Sequence, residues 1–126
     1  MSLPEIHARL GNSLILFMLA LSIWALALYV LKRDLSPSFM GALLIGETLA
    51  LVQGTVGVFL WITVGSPGRW VHILYGILSV ILIPFVYSRT EGRMTRREAL
   101  IYGLLCLFLV GVGLRAASTG GPGAGF

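Results

Sequence analysis

A single cysteine in 126 residues excludes a disulfide framework and any CxxC metal site, and that residue, Cys106, lies inside an apolar run. Charge is scarce as well. Only 11% of the residues are charged, too few to clothe a soluble domain of this size. No phosphate-binding loop, nucleophile elbow or zinc-ligand spacing occurs anywhere along the chain. The formal net charge of +4 comes from short connecting segments and forms no basic patch. Nucleic-acid binding is therefore unsupported, and the charge reads as a topology signal.

What the chain has in abundance is apolar sequence: 57% hydrophobic residues and a mean hydropathy of +0.94. This composition predicts an all-α integral membrane protein. Four spans follow, about Ala8–Leu31, Phe39–Val64, Trp70–Ser88 and Ala99–Leu114, each close to the ~20 residues that cross a bilayer core. They make a four-transmembrane-helix antiparallel bundle over residues 1–117, followed by a glycine-rich tail at 118–126. The breaks carry helix-start chemistry. Ser36-Pro37 and Ser66-Pro67 place a capping hydroxyl ahead of a proline, as do Ser2 and Pro4. Thr95-Arg96-Arg97-Glu98 reads as a capping box. Gly65-Ser66-Pro67-Gly68 is a tight turn that makes the second and third spans antiparallel neighbours, and Pro84 should kink the third.

Lys32, Arg33, Arg89, Arg93, Arg96 and Arg97 occupy the connections after the first and third spans; Arg9, Arg69 and Arg115 lie on the other side. The positive-inside rule then places both termini outside a prokaryotic-type cytoplasmic membrane. A signal peptide is not expected, because the start carries Glu5 in place of a basic cluster and the apolar run is too long.

The two histidines are the most informative residues. His7 and His72 each open a long apolar run, and each is followed four residues later by glycine, Gly11 and Gly76. With one return crossing between them, both imidazoles fall at one depth on the outer side. Four residues is about one helical turn, so each glycine opens flat space beside its histidine. A porphyrin held edge-on between helices needs such space. Two axial imidazoles give a low-spin electron-transfer haem. Arg9, Arg69 and Arg115 share that side and could pair with the propionates, while Leu14 and Met18 continue the His7 face as an apolar wall. The plainer reading makes both histidines interfacial side chains bonded to loop carbonyls or water.

Several stretches resemble the haem A synthase family. These are Gln53-Gly54-Thr55-Val56-Gly57, Thr63-Val64-Gly65-Ser66-Pro67, Trp70-Val71-His72-Ile73-Leu74-Tyr75-Gly76, and Glu5-Ile6-His7-Ala8-Arg9-Leu10-Gly11. The resemblance covers about three of the four spans. It implies one four-helix half of the family's fold, with His7 and His72 as ligands of haem b. The chain departs from the family pattern in having one half instead of two. Glu5 stands two residues before His7 instead of three, and Arg9 two after instead of one. On a helix the first difference turns Glu5 by about 100°, so no independent catalytic activity is expected.

Glu47 lies within the second span, where an ionisable group is a functional candidate by default. It reads either as a proton relay or quinone-headgroup contact, or as a protonated carboxyl bonding a neighbouring helix. Gln53 lies about 240° further round the helix, so the two cannot serve one site. The glycines at 41, 46, 54, 57, 103, 111 and 113 read as packing residues. By composition the tail is flexible. The expected partners are the lipid bilayer with other membrane subunits or a second copy of the chain. Three functions remain open: a haem-binding electron-transfer or accessory subunit of a membrane redox complex, a haem-free assembly subunit, and a half-size haem-modifying enzyme.

Overall fold

The computed structural model describes residues 1–121; most of the expected glycine-rich tail, residues 122–126, lies outside them. Four helices follow in order: α1 (Leu3–Val30), α2 (Pro37–Thr63), α3 (Val71–Thr90) and α4 (Arg96–Thr119). All four are long and apolar enough to cross a membrane, and no strand occurs among the described residues. The shortest, α3, has 20 residues, which at 1.5 Å per residue spans about 30 Å.

Local chemistry sets most of the boundaries. Ser2 and Ser36 are N-caps, their hydroxyls accepting from Glu5 N at 3.4 Å and Phe39 N at 3.2 Å, and Pro4 and Pro37 supply the preset φ of a first turn. Thr95 and Glu98 form the capping box of α4, with Thr95 N–H donating to Glu98 Oε1 at 3.2 Å. One start differs from the expectation. Ser66-Pro67 does not open α3, whose N-cap is Trp70 with no side-chain cap bond. The intervening backbone is used elsewhere: Gly68 N–H and Arg69 N–H donate to the carbonyls of Gly120 and Thr119, both at 3.0 Å. These bonds satisfy carbonyls that the end of α4 would otherwise leave without partners. They also go with a longer α4 than expected, running through Ser118 and Thr119 instead of stopping at Leu114.

The helices stand in a ring, α1–α2–α3–α4 and back to α1, with no close backbone approach across either diagonal among the described residues. The α1–α4 seam is the tightest and the α2–α3 seam the loosest. Small residues explain the first. A Cβ on Gly103 would lie 2.6 Å from Leu26 Cδ2, and one on Gly113 would lie 2.6 Å from Ile15 Cγ1. Glycine at these two places is what lets α4 close on α1. Ser22 Oγ crosses the same seam to the Gly103 carbonyl at 2.8 Å. The arrangement leaves α3 peripheral: 6% of its apolar window is buried, against 33% for α4.

The outer surface is apolar on every helix, with Leu16, Ile45, Phe59, Ile81 and Phe108 exposed, while Ser22, Glu47, Glu98 and Thr119 are buried. That distribution inverts the pattern of a soluble domain.

The end holding the α1–α2 and α3–α4 connections is closely stitched. Leu35 N–H donates to Met94 O at 2.9 Å and Arg96 N–H to Asp34 Oδ1 at 2.9 Å. The Arg96 guanidinium donates to Tyr29 O at 2.8 Å and sits 4.2 Å from the Tyr29 ring centroid. Phe39 packs edge-on to Trp24 at 5.3 Å and against Tyr102 at 6.3 Å, and Tyr102 shares a hydrogen bond with Thr90. The opposite end, where α1 begins and α4 finishes, is more open, tied by the Gly68 and Arg69 bonds to α4.

Candidate functional site

His7 lies in the second turn of α1 and His72 in the first turn of α3, so the two occupy diagonal helices that do not otherwise approach. Their rings meet in the gap between, with centroids 6.2 Å apart and planes inclined at 70°. Beneath them a cavity of about 1260 Å³ runs down to Met18, Ala50 and Leu109, with all four helices contributing walls.

Each imidazole is held differently. His72 Nδ1 lies 2.7 Å from the Ala116 carbonyl of α4. A carbonyl only accepts, so Nδ1 carries the proton, and in the neutral ring Nε2 is left with its lone pair. His7 has its main-chain carbonyl fixed by Gln53 Nε2 at 2.8 Å, while its Nδ1 is buried without a hydrogen-bond partner. Gln53 Oε1 is buried without one as well. A buried polar atom left this way calls for a partner supplied from outside the chain.

The glycines around the rings are not all those the spacing indicated. A Cβ on Gly11 would meet Gln53 Nε2 at 2.9 Å, so the amide occupies the place expected to be open beside His7. Nothing lies within 4 Å of a Cβ on Gly76. The glycines set against the rings are Gly57, where an added Cβ would lie 3.1 Å from His7 Cε1, and Gly120, where one would lie 2.6 Å from His72 Cε1. From the sequence alone Gly57 reads as a packing residue and Gly120 as part of the tail. The available signal was the Gln53-Gly54-x-x-Gly57 spacing, which puts the amide and Gly57 about one turn apart.

His7, His72, Gly11 and Gly76 all line the cavity, whereas Arg9, Arg69 and Arg115 do not. Arg9 is exposed, and the Arg115 guanidinium lies 6.0 Å from the Tyr75 ring centroid, near the open end. Glu5 is exposed and also outside the lining.

Two imidazoles make a poor cage for a bare ion, which takes about four ligands. No group of three or more His, Cys, Asp or Glu side chains is placed to hold one among the described residues. They suit a metal whose equatorial ligands come with it, as in haem, where the protein supplies the axial positions. With a metal–nitrogen distance of about 2 Å and roughly 1 Å more to each ring centre, two such ligands put their centroids about 6 Å apart. The observed separation fits. So does the Ala116 carbonyl, since a ligating histidine ordinarily donates its other N–H to such a group.

Glu47 and Gln53 face separate cavities, as their angular separation requires. Glu47 belongs to a second, smaller cavity of about 360 Å³ between α2 and α3, toward the stitched end.

No protein-family model, curated protein or solved structure matches the chain.

Proposed function

We propose that this chain is a membrane-embedded, bis-histidine b-type haem protein with the architecture of one half of a haem A synthase. It serves as an electron-transfer or accessory subunit of a larger membrane redox complex and has no independent catalytic activity. Its four helices span the bilayer with both termini and both histidines on the outer side, a reading supported by the excess of Lys and Arg in and beside the α1–α2 and α3–α4 connections.

The observation that carries this reading is the meeting of His7 and His72 at 6.2 Å across a diagonal, above a large apolar cavity. His7 and His72 would hold the iron, Gly57 would give the His7 ring its room, and Leu14 and Met18 would form part of the apolar wall. The Ala116 carbonyl holds the tautomer of His72. Arg9, Arg69 and Arg115, gathered near the same end, would pair with propionates there. Bound haem would supply reversible one-electron chemistry there. The exposed position of Glu5 outside the cavity gives no support to a half-size haem-modifying enzyme.

The native full-length protein, purified from membranes, should give a b-type reduced-minus-oxidised spectrum that His72→Ala and His7→Ala each abolish while helicity is retained. A clean native preparation with no haem band overturns the reading and leaves a packing and assembly subunit.

A further inference from the structure

The second cavity has a composition of its own. Its floor is Leu43, Glu47 and Ile83, all buried, and its mouth is formed by Leu44, Pro84 and Tyr87, all exposed on the outer surface of the bundle. It opens along the α2–α3 seam, the loosest of the four. Glu47 is 7% exposed, its Oε1 is buried without a hydrogen-bond partner, and among the described residues no ion pair or hydrogen bond holds the carboxyl. A carboxyl group costs several kcal/mol at such a depth unless something bonds it. No aqueous solute reaches a mouth that opens on lipid, so the partner must arrive dissolved in the bilayer. It needs a hydroxyl to meet the carboxyl and an apolar body to fill the rest.

At about 360 Å³ the cleft lies at the small end of ligand pockets and has room for a ring-bearing headgroup. Pro84 and Tyr87 line the mouth, and both carry rings of the kind that pack against another ring. We propose that this cleft binds the phenolic headgroup of a lipid-soluble quinol, its hydroxyl donating to Glu47 and its prenyl tail leaving past Leu44 into the bilayer. The site is separate from the histidine pair on α1 and α3, which lies level with the other end of α2, and its occupancy does not depend on haem.

The test uses the full-length protein in lipid nanodiscs under reducing conditions, a quinol carrying a photoreactive diazirine at the start of its tail as label, and decylubiquinol as competitor. Cross-links should fall within residues 40–47 and 83–87, and decylubiquinol should suppress them. Glu47→Leu should weaken that competition by about tenfold, the loss of one hydrogen bond to the carboxyl. Leu44→Trp, which leaves Glu47 in place and fills the mouth, should remove the labelling with any haem spectrum unchanged. That variant keeps the test decisive should Glu47→Leu fail to fold. Labelling confined to other segments, or labelling unaffected by either substitution, overturns the proposal. So does monoolein competing as well as decylubiquinol, which would make the occupant an ordinary hydroxyl lipid. His72→Ala should leave the labelling intact, so failure of the haem reading and failure of this one are told apart.

Discussion

A side chain of one carbon is enough to decide where the two imidazoles stand. A Cβ on Gly120 would lie 2.6 Å from His72 Cε1 and within 3.1 Å of its Nε2, closer than real contacts allow. Gly120→Ala should therefore displace the His72 ring, shifting or abolishing the b-type spectrum with helicity preserved. Gly41→Ala is the control, because nothing lies within 4 Å of a Cβ there. An unchanged spectrum in Gly120→Ala would separate the ring from any ligand role. Ser22 makes a different kind of contact, donating from a buried position to the Gly103 carbonyl. Interhelical hydrogen bonds of this type average roughly 0.6 kcal/mol in membrane proteins, so Ser22→Ala should cost about that much in reversible unfolding. A loss several times larger would mean the α1–α4 seam depends on it more than a single bond explains. At this scale the histidines, Glu47 and the Thr95–Glu98 box were legible, being rare polar residues in apolar sequence. The roles of Gly57 and Gly120 were not, because a glycine's neighbour belongs to another helix.

Among the elements, α4 departs most from what its hydropathy indicates. Apolar sequence fades after Leu114, yet the helix continues to Thr119, because the Thr119 and Gly120 carbonyls find donors in the α2–α3 loop. Those last turns bring Ala116 to His72. A chain ending after Leu114 should lose the haem signature, whereas one ending after Gly121 should keep it; the comparison is read from the same difference spectrum. Equal spectra in both would remove Ala116 from the site. At the other end of α4, Thr95→Ala breaks the capping box and should cost about 1 kcal/mol. The loss is measured by the unfolding midpoint, and the haem spectrum, remote from it, should not move. The misplaced start of α3 has the same origin as the overrun of α4: the Gly68 and Arg69 amides are engaged by α4, and the helix begins only after them.

For the whole molecule, one end is locked and the other open. Asp34, Tyr29, Met94 and Arg96 tie the two connections together at the locked end, so the Arg96 guanidinium serves the fold as well as the charge bias. The proposed orientation puts this end in the cytoplasm. In a Cys106→Ser background, Ser2→Cys should react with an impermeant maleimide from outside intact cells, and Glu91→Cys only after permeabilisation. The reverse pattern would invert the topology and place the histidines inside.

Helix number, approximate span limits, two proline-assisted starts, the capping box and the charge bias of the loops were all determined by the sequence alone. Each depends on neighbours within a turn or two, or on bulk hydropathy, and such information is local. Only the tertiary structure decided which helices lie on diagonals, that Gln53 reaches His7 while Glu47 faces another cavity, and that Gly57, Gly120 and Ala116 surround the ring pair. These depend on how closely small residues let particular helices approach, and that is a property of pairs of surfaces rather than of any one segment.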